Sequence, residues 1–508
     1  MRRPDVLAAV DLGSNSFHLQ VGRVVDGQIY PLDSMREALR LGAGLTADKR
    51  IDRATQARAL EALARFGERL RGLPPNAVRA VGTNTLRVAK NASHFLREAR
   101  AVLGFPIEVI AGREEARLIY LGVSHSLPPA QHRRLVVDIG GGSTEFIIGA
   151  GFEPQVTDSL YMGCVSWSLR YFPDGKIDKA GLRSAELAAR QELSSIVREY
   201  RALGWQEAVG SSGTARAIEE ILRENGYAES GITHDGLQRL RTLLLKHERA
   251  DPERIAGLRE NRVAVLPGGV AILCAVFEAL GIEAMAVSEG ALRHGVLYDL
   301  LGRVQHTDPR EATVAQFMRR YHVDAAQAER VRSVALEIYD ALAAAAHSDE
   351  RDDHASRLTL DWAARLAEIG LSISHAQYHK HSAYVLSHAD MPGFSRMEQQ
   401  RLARIVLAHR GKLGKVQDSG IEGSDWMLVF ALRVATLLAR SRTDVPVPLL
   451  RAAMDEAGFA VSFPQSWLDD NPLSADALES ESGHWKAIGM KLAVAALSDK
   501  KVSALTRG

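Results

Sequence analysis

The chain has 508 residues, with 63 Lys and Arg against 62 Asp and Glu and a formal net charge of +1. That balance excludes a global basic field for a polyanion, so any anion site has to be built locally. Hydrophobic residues at 46% and charged residues at 25% are ordinary for a globular protein, and the length is enough for several domains.

Residues 6–10 and 17–25 read as strands, with Asp26-Gly27 as a hairpin turn into 29–32. Residues 52–71 carry helical spacing, 78–82 a strand, 93–103 a helix, 107–110 a strand and 112–122 a helix. A second strand-turn-strand occupies 134–139 and 144–149, and alternation continues to about residue 302, which argues for α/β sheet domains. After Thr307-Asp308-Pro309 the pattern turns to long helices. This stretch holds His322, His347, His354, His375, His379, His381, His388 and His409, eight of the chain's 17 histidines. Pro446 and Pro448 suggest a further boundary, and 446–508 mixes short strand-like and helical pieces. The expected domains are 1–125, 126–304, 309–445 and 446–508.

Two cysteines, Cys164 and Cys274, are far apart and form no CxxC, which suits a reducing cytoplasm. The apolar run Val6–Val10 is stopped by Asp11, too short for a signal core. No uncharged apolar stretch approaches the ~18–20 residues of a membrane helix. The expectation is a soluble cytoplasmic protein.

The turn "VDLGSNS" (Asp11, Gly13, Ser14, Asn15) returns 127 residues later as "VDIGGGS" (Asp138, Gly140, Gly141, Gly142, Ser143). A strand that ends in Asp and runs into small residues exposes backbone N–H groups that grip phosphate oxygens. The Asp can hold hydrated Mg²⁺ beside them. Two such turns facing each other would clamp a phosphoryl group, whereas two ordinary hairpins do not require the same Asp twice. A third turn, Gly210-Ser211-Ser212-Gly213-Thr214, opens a helix, an anion site by geometry and dipole.

In Gly112–Tyr120, read as a helix, Glu114 meets Arg117 at i+3 as a solvated pair. Glu115 meets Leu118 and Ile119 and faces the apolar side. Partial desolvation there raises a carboxylate's affinity for a proton, as a general base for water attack needs. A helix-start glutamate helped by the macrodipole is the plainer alternative. Glu145, after the second turn, either orients water or magnesium or faces solvent. Arg40, Arg87 and Arg293 lie near small-residue turns and are candidate phosphate contacts. The charge runs Arg133-Arg134, Arg319-Arg320 and Lys412/Lys415 read as solvated faces. His375, His379 and His381 are close, but no HExxH occurs, and scattered helical histidines are usually structural.

The strings "AVDLGSNSFHLQVGRV", "VGTNTLR", "AGREEARLIYLGV", "VVDIGGGSTEFIIG", "MGCVSWSLRYFP", "GSSGTARAIEE" and "VSEGALRHGVLYDLLGR" resemble, in order, the exopolyphosphatase / guanosine pentaphosphate phosphohydrolase family. Beyond residue 303, "LDWAARLAEIGLSISHAQYHKHSAYVLSHADMPGF" and "VLAHRGK" are similar to its long, four-domain members. The resemblance implies actin-like duplicated α/β domains, then a helical HD-like domain and a small α+β C-terminal domain. It implies Glu115 as the base that activates water, and Asp138 and Glu145 around magnesium and the attacking water, with Asp11 added as a magnesium ligand from the turn reading. It implies Ser14, Asn15, Arg87, Gly140–Ser143 and Gly210–Thr214 as phosphate contacts, beside the candidates Arg40 and Arg293 read from their turns. At the expected His-Asp metal pair of an HD domain stands Ala367-Glu368, so that chemistry is not expected.

The function expected first is Mg²⁺-dependent release of terminal orthophosphate from inorganic polyphosphate. The long form with its helical extension suits an extended substrate. Removal of the 5′-phosphate of guanosine pentaphosphate is the alternative. An actin-like ATPase or kinase and a non-catalytic polyphosphate sensor follow behind. The resemblance further implies a homodimer, and the cytoplasmic location expected above leaves peripheral attachment to the inner membrane open. No nucleic-acid partner is expected.

Overall fold

The computed structural model describes residues 4–25, 27–128, 132–304, 308–346, 350–417, 421, 423–443, 451–455 and 457–497. Asp26, Thr307, His347, Pro446 and Pro448, used above as turn, boundary or candidate residues, lie outside these. The chain forms two compact units, Met1–Pro309 with Pro392–Ser395, and Arg310–Met391 with Arg396–Gly508.

In the first unit, β1 (Val6–Leu12), β2 (Phe17–Val25) and β3 (Gln28–Glu37) form an antiparallel meander. The helix α1 (Arg53–Leu70) starts where the Asp52 carboxylate accepts the Thr55 N–H at 2.8 Å, a side-chain cap. Its Ala59, Ala62, Leu63, Phe66 and Leu70 recur at helical spacing and are buried in the core above the sheet. β4 (Val78–Gly82) then pairs parallel with β1. After α2 (Asn84–Val88) and α3 (Ala92–Leu103), β5 (Ile107–Val109) pairs parallel with β4, and α4 (Gly112–Ser126) follows.

The scheme then repeats. β6 (Arg133–Ile139), β7 (Thr144–Ala150) and β8 (Glu153–Leu160) form a second antiparallel meander. The helices α5 (Cys164–Tyr171), α6 (Lys179–Leu193) and α7 (Val197–Leu203) lead to β9 (Glu207–Ser211), parallel to β6. Next come α8 (Ser212–Glu224), β10 (Ile232–Thr233), α9 (His234–His247), α10 (Leu266–Leu280), β11 (Ala284–Val287), parallel to β9, and α11 (Leu292–Val304). The sheet orders are β3-β2-β1-β4-β5 and β10-β11-β9-β6-β7-β8. Strand for strand, β3-β2-β1-β4-β5 matches β8-β7-β6-β9-β11, so the duplicated turns sit at equivalent strand ends.

α10 is apolar on all sides and nearly wholly buried, as a core helix should be. With the turn before it, Glu260–Leu280 is long and apolar enough to cross a membrane, but it is packed inside this unit. α11 returns across the first half: its Val296, Leu297, Leu300 and Leu301 share a core with Leu7 and Ala9 of β1 and Leu118 and Ile119 of α4. Cys164 and Cys274 are buried free thiols.

The second unit consists of α12 (Pro309–Arg320), α13 (Ala325–Ala346), α14 (Glu350–Leu366), α15 (Tyr378–His388), α16 (Arg396–Ala408), α17 (Gly414–Gln417) and α18 (Asp425–Leu438). A three-stranded sheet follows, of β12 (Arg451–Asp455), β13 (Gly458–Pro464) and β14 (Lys491–Leu497), with α19 (Gln465–Asp470) and α20 (Pro472–Lys486). Phe430 on α18 stacks on Phe459 with ring centroids 4.4 Å apart, and Trp485 meets both edge-on. Beneath them Arg433 and Glu481 form a buried ion pair at 2.5 Å. Ala367 is buried and apolar, while Glu368 accepts two hydrogen bonds from Arg442 at 2.7 and 2.8 Å. Ala367 and Glu368 thus present a buried methyl group and an arginine-paired carboxylate.

Candidate active site

Asp11 ends β1 opposite His18 of β2, and Asp138 ends β6 opposite Glu145 of β7, in the same register. The two turns that follow touch. A Cβ placed on Gly141 would lie 3.0 Å from the Asn15 backbone N and 3.1 Å from the Ser14 Cβ. A side chain there would press on the facing turn, and glycine lets the two approach this closely. Ser14 is fixed from the other side, its Oγ accepting from the Thr85 hydroxyl at 2.8 Å and from the Thr85 N–H at 3.3 Å.

Between the turns lies a cavity of about 120 Å³, large enough for a phosphoryl group and a few waters. Glu115 reaches it from the first turn of α4 beside Ile119. The Glu115 Oε2 accepts from Arg87 Nη1 at 2.6 Å, and the same nitrogen donates to the Ile110 carbonyl at 3.1 Å. Glu145 is buried, and its Oε1 accepts from the Ser159 hydroxyl at 2.8 Å.

Asp11, Asp138 and Glu145 stand close together away from bulk water, and their charged forms suffer for it. Burial, then Glu115, push Asp11 up to about 8 against the pull of Arg293. Burial pushes Asp138 up to about 6, with the Ser211 hydroxyl opposing and Glu115 adding to the rise. Glu145 is held well above the usual carboxylate range by burial, Glu115 and Asp138.

The opposite wall is cationic. Arg216, Arg262 and Arg293 line the cavity and, among the described residues, pair with no carboxylate. Burial brings Arg262 down to about 10, with Arg36 next in effect. A Cβ on Gly213 would fall 1.9 Å from Arg262 Nη2, so this glycine lets the guanidinium lie across the third turn. In that turn Ser212 has φ +89°, a strained backbone for a residue with a side chain, and its hydroxyl accepts from Thr214 N at 3.1 Å and Ala215 N at 3.3 Å. Cavity-lining His18 is kept neutral: burial, then Arg293 and Arg36, bring it down to about 3.

Residues 20–304 match the model of the Ppx/GppA phosphatase family, and residues 310–482 match Ppx/GppA phosphatase, domain III. The chain belongs to the Ppx/GppA phosphatase family. It is 39% identical over 493 residues to a guanosine-5′-triphosphate,3′-diphosphate pyrophosphatase from Aeromonas hydrophila, covering 96% of this chain and 98% of that one. A protein of the same name from Vibrio cholerae is 38% identical over 491 residues, covering 96% and 97%. Among solved structures, an exopolyphosphatase from Cytophaga hutchinsonii aligns with a TM-score of 0.54 and 26% identity, over 59% of this chain and 98% of that one. A Ppx/GppA family member from Aquifex aeolicus aligns at 0.50 and 25%, over 60% and 98%. As a family member the chain is a hydrolase acting on phosphoanhydrides. Its two matching α/β halves are those of an actin-like duplicated fold.

Of the residues picked from sequence, Asp11, Ser14, Asn15, Glu115, Asp138, Gly140, Gly141, Gly142, Ser143, Ser212, Gly213, Thr214 and Arg293 line this one cavity. Gly210 and Ser211 form the end of β9 behind it, where the Ser211 hydroxyl donates to the Gly290 carbonyl at 2.9 Å. Arg87 and Glu145 stand behind the lining, each tied to a partner. The Arg40 side chain is exposed in a surface groove beside Asp52 and Arg58, while its backbone N–H donates to the Asn15 carbonyl at 2.8 Å. Glu114 departs from expectation too, since its pair with Arg117 is buried rather than solvated. Sequence reading passed over His18, Arg216 and Arg262. Arg216 carried a usable signal, one helical turn after Ser212 at the opening of α8; Arg262 comes from a remote segment and carried none.

The acidic residues fit a divalent cation held largely by water. Asp11 Oδ1 is shut off from solvent and has no hydrogen-bond partner. An orphaned buried carboxylate oxygen with like charges around it is stabilised by a cation. Among the described residues, no three His, Cys, Asp or Glu side chains stand at metal-ligand spacing. Asp11, Asp138 and Glu145 therefore do not make a closed three-carboxylate cage, and the fit is to a hydrated divalent cation on one or two carboxylates.

Proposed function

We propose that this protein removes the 5′-terminal phosphate of guanosine pentaphosphate, with inorganic polyphosphate as a second substrate. What carries this order is length. Similarity to the proteins named for the guanosine compound runs through 96% of the chain, whereas the exopolyphosphatase structure aligns with 59%. The order is the reverse of the one expected from sequence, where the long form was taken to favour polyphosphate. The helical half of the chain is shared with the guanosine-named relatives and so does not single out polyphosphate.

In the reaction, the terminal phosphoryl group lies between the Asp11 and Asp138 turns. Backbone N–H groups of Gly141–Ser143 and Ser14–Asn15 hold its oxygens, while the Gly140 N–H closes the turn on the Ser143 carbonyl at 2.9 Å. Arg216, Arg262 and Arg293 hold the phosphates behind it. The Glu115 carboxylate takes a proton from water, and the resulting hydroxide oxygen attacks the terminal phosphorus in line. The bridging P–O bond breaks, and its electron pair leaves on the departing diphosphate oxygen, giving orthophosphate and the shortened nucleotide. Arg87 keeps Glu115 in its rotamer. Mg²⁺, when bound near Asp11 and Asp138, supplies charge neutralisation at the phosphoryl oxygens. We further infer a homodimer working in the cytoplasm, testable by light scattering.

Orthophosphate release from both substrates, measured in parallel with Mg²⁺ and with chelator, tests this. Guanosine pentaphosphate consumed more efficiently than polyphosphate supports the order given. The opposite ratio restores polyphosphate to first place.

A further inference from the structure

Glu114, the neighbour of Glu115, belongs to a closed ring of hydrogen bonds that passes through a residue 279 positions later in the chain. Its carboxylate takes two N–H groups of Arg117, Nε at 2.8 Å and Nη2 at 2.9 Å. Arg117 Nη2 also donates to Asp299 Oδ1 on α11. Asp299 Oδ2 accepts from Arg303 Nε at 2.9 Å, and Arg303 Nη2 donates to the Gly393 carbonyl at 2.8 Å. The Gly393 N–H donates back to Glu114 Oε2 at 2.8 Å. Arg79 braces the ring, donating to Asp299 at 2.5 Å and to Glu108 at 3.1 Å.

Three arginines thus meet three carboxylates, and the cluster is neutral. Burial works against the charge on Asp299, but Arg117, Arg303 and Arg79 hold its carboxyl well below the usual range. Ion pairs this dry give little net stability, so what they fix is geometry. Gly393 uses both its N–H and its C=O in the ring, and its φ of +87° is a backbone that glycine adopts freely. The segment Pro392–Ser395 groups with the first unit although the residues on either side of it belong to the second.

We propose that the Gly393 turn is a latch on α4: seated between Glu114 and Arg303, it fixes the first helical turn and so aims Glu115 at its water, and unseating it lowers turnover without weakening substrate binding. Glu114 is then a positioning residue, and the proposal rests on the reading of Glu115 as the base. Turnover becomes linked to a segment that lies within the sequence of the helical half. Any event that withdraws Pro392–Ser395 acts as an off-switch without entering the cavity.

The test compares Glu114→Gln, Gly393→Ala and Glu115→Gln in the full chain, with guanosine pentaphosphate and polyphosphate as probes. It is run below the melting temperature of every variant. Glu114→Gln keeps the side chain's shape and removes its charge, and Gly393→Ala strains the turn. Each is expected to lower kcat about tenfold or more with KM within about twofold, since small misplacements of a reacting group are costly. Wild-type kcat in both variants, with only the melting temperature lowered, shows a structural ring and overturns the latch. A KM that rises in step with the fall in kcat overturns it as well. Glu115→Gln at wild-type turnover removes the base reading, and with it what the latch would position, whereas the first two outcomes remove the latch alone.

Discussion

Arg87 donates its Nη1 to Glu115 at 2.6 Å, with the arginine side chain 5% exposed. An arginine placed so is an orienting partner for a carboxylate and not a free phosphate clamp. Glu115→Gln is expected to lower kcat by about 10²–10⁴-fold, the usual share of a general base, with binding largely kept. Arg87→Lys, which cannot reproduce the planar contacts to Glu115 and Ile110, is expected to lower kcat with little change in KM. Steady-state orthophosphate release measures both, and a KM-dominated effect of Arg87→Lys would mean that it contacts substrate instead.

The crowded carboxylates make the metal-free protein sensitive to alkali. Asp11 has its pKa raised from 3.8 to about 8, so the folded state holds a proton that the unfolded chain has already released. Stability therefore falls as pH rises through that interval. Histidines held neutral in the fold, such as His18 and His294, act oppositely, but only below about 6.5. Between pH 6.5 and 8 the carboxylates decide. The chelated protein is expected to melt lower at pH 8 than at pH 6.5 by a few degrees, roughly what 1 kcal/mol yields in a domain this size. Saturating Mg²⁺ should remove the difference. Scanning calorimetry at the two pH values checks it, and a metal-free melting temperature that rises over this interval contradicts it.

Gly163 lies under the second turn. A Cβ there would sit 2.4 Å from the Gly141 carbonyl carbon and from the Gly142 N, both backbone atoms that cannot swing aside. Gly163→Ala is expected to displace the turn and lower kcat/KM at least about tenfold, with a stability loss of about 1–3 kcal/mol typical of overpacking. Activity and denaturant midpoints read the two effects separately. Near-normal values in both would show that the turns need not touch.

Arg262 crosses Gly213 and, among the described residues, has no carboxylate partner. Arg262→Ala is expected to raise KM for either polyanion by about tenfold, the loss of one charge-assisted contact. The shift should shrink in high salt. A change confined to kcat would place Arg262 at the reacting phosphorus.

Both turn motifs could be read directly in the sequence, because a strand period followed by Asp and glycines is a local signal, and so was the helix carrying Glu115. That two meanders with one strand order face each other was readable only from the repeat of Asp11 and Asp138. The failures share one cause. Glu114 was assigned to solvent from its i+3 arginine, but local spacing is blind to what packs on the helix, here Asp299 of α11 and Gly393. Arg40 was picked as a phosphate contact from its neighbouring turn, but its side chain lies in a surface groove beside Asp52 and Arg58. Arg262 had no motif at all, since only the fold brings it to Gly213.

The most direct test of the account is the ratio of kcat/KM for guanosine pentaphosphate to that for long-chain polyphosphate, measured with Mg²⁺ on the wild-type chain and on Glu115→Gln. A ratio above one, with both activities lost together in the variant, is the predicted result. A ratio well below one, or turnover of either substrate surviving in Glu115→Gln, would contradict it.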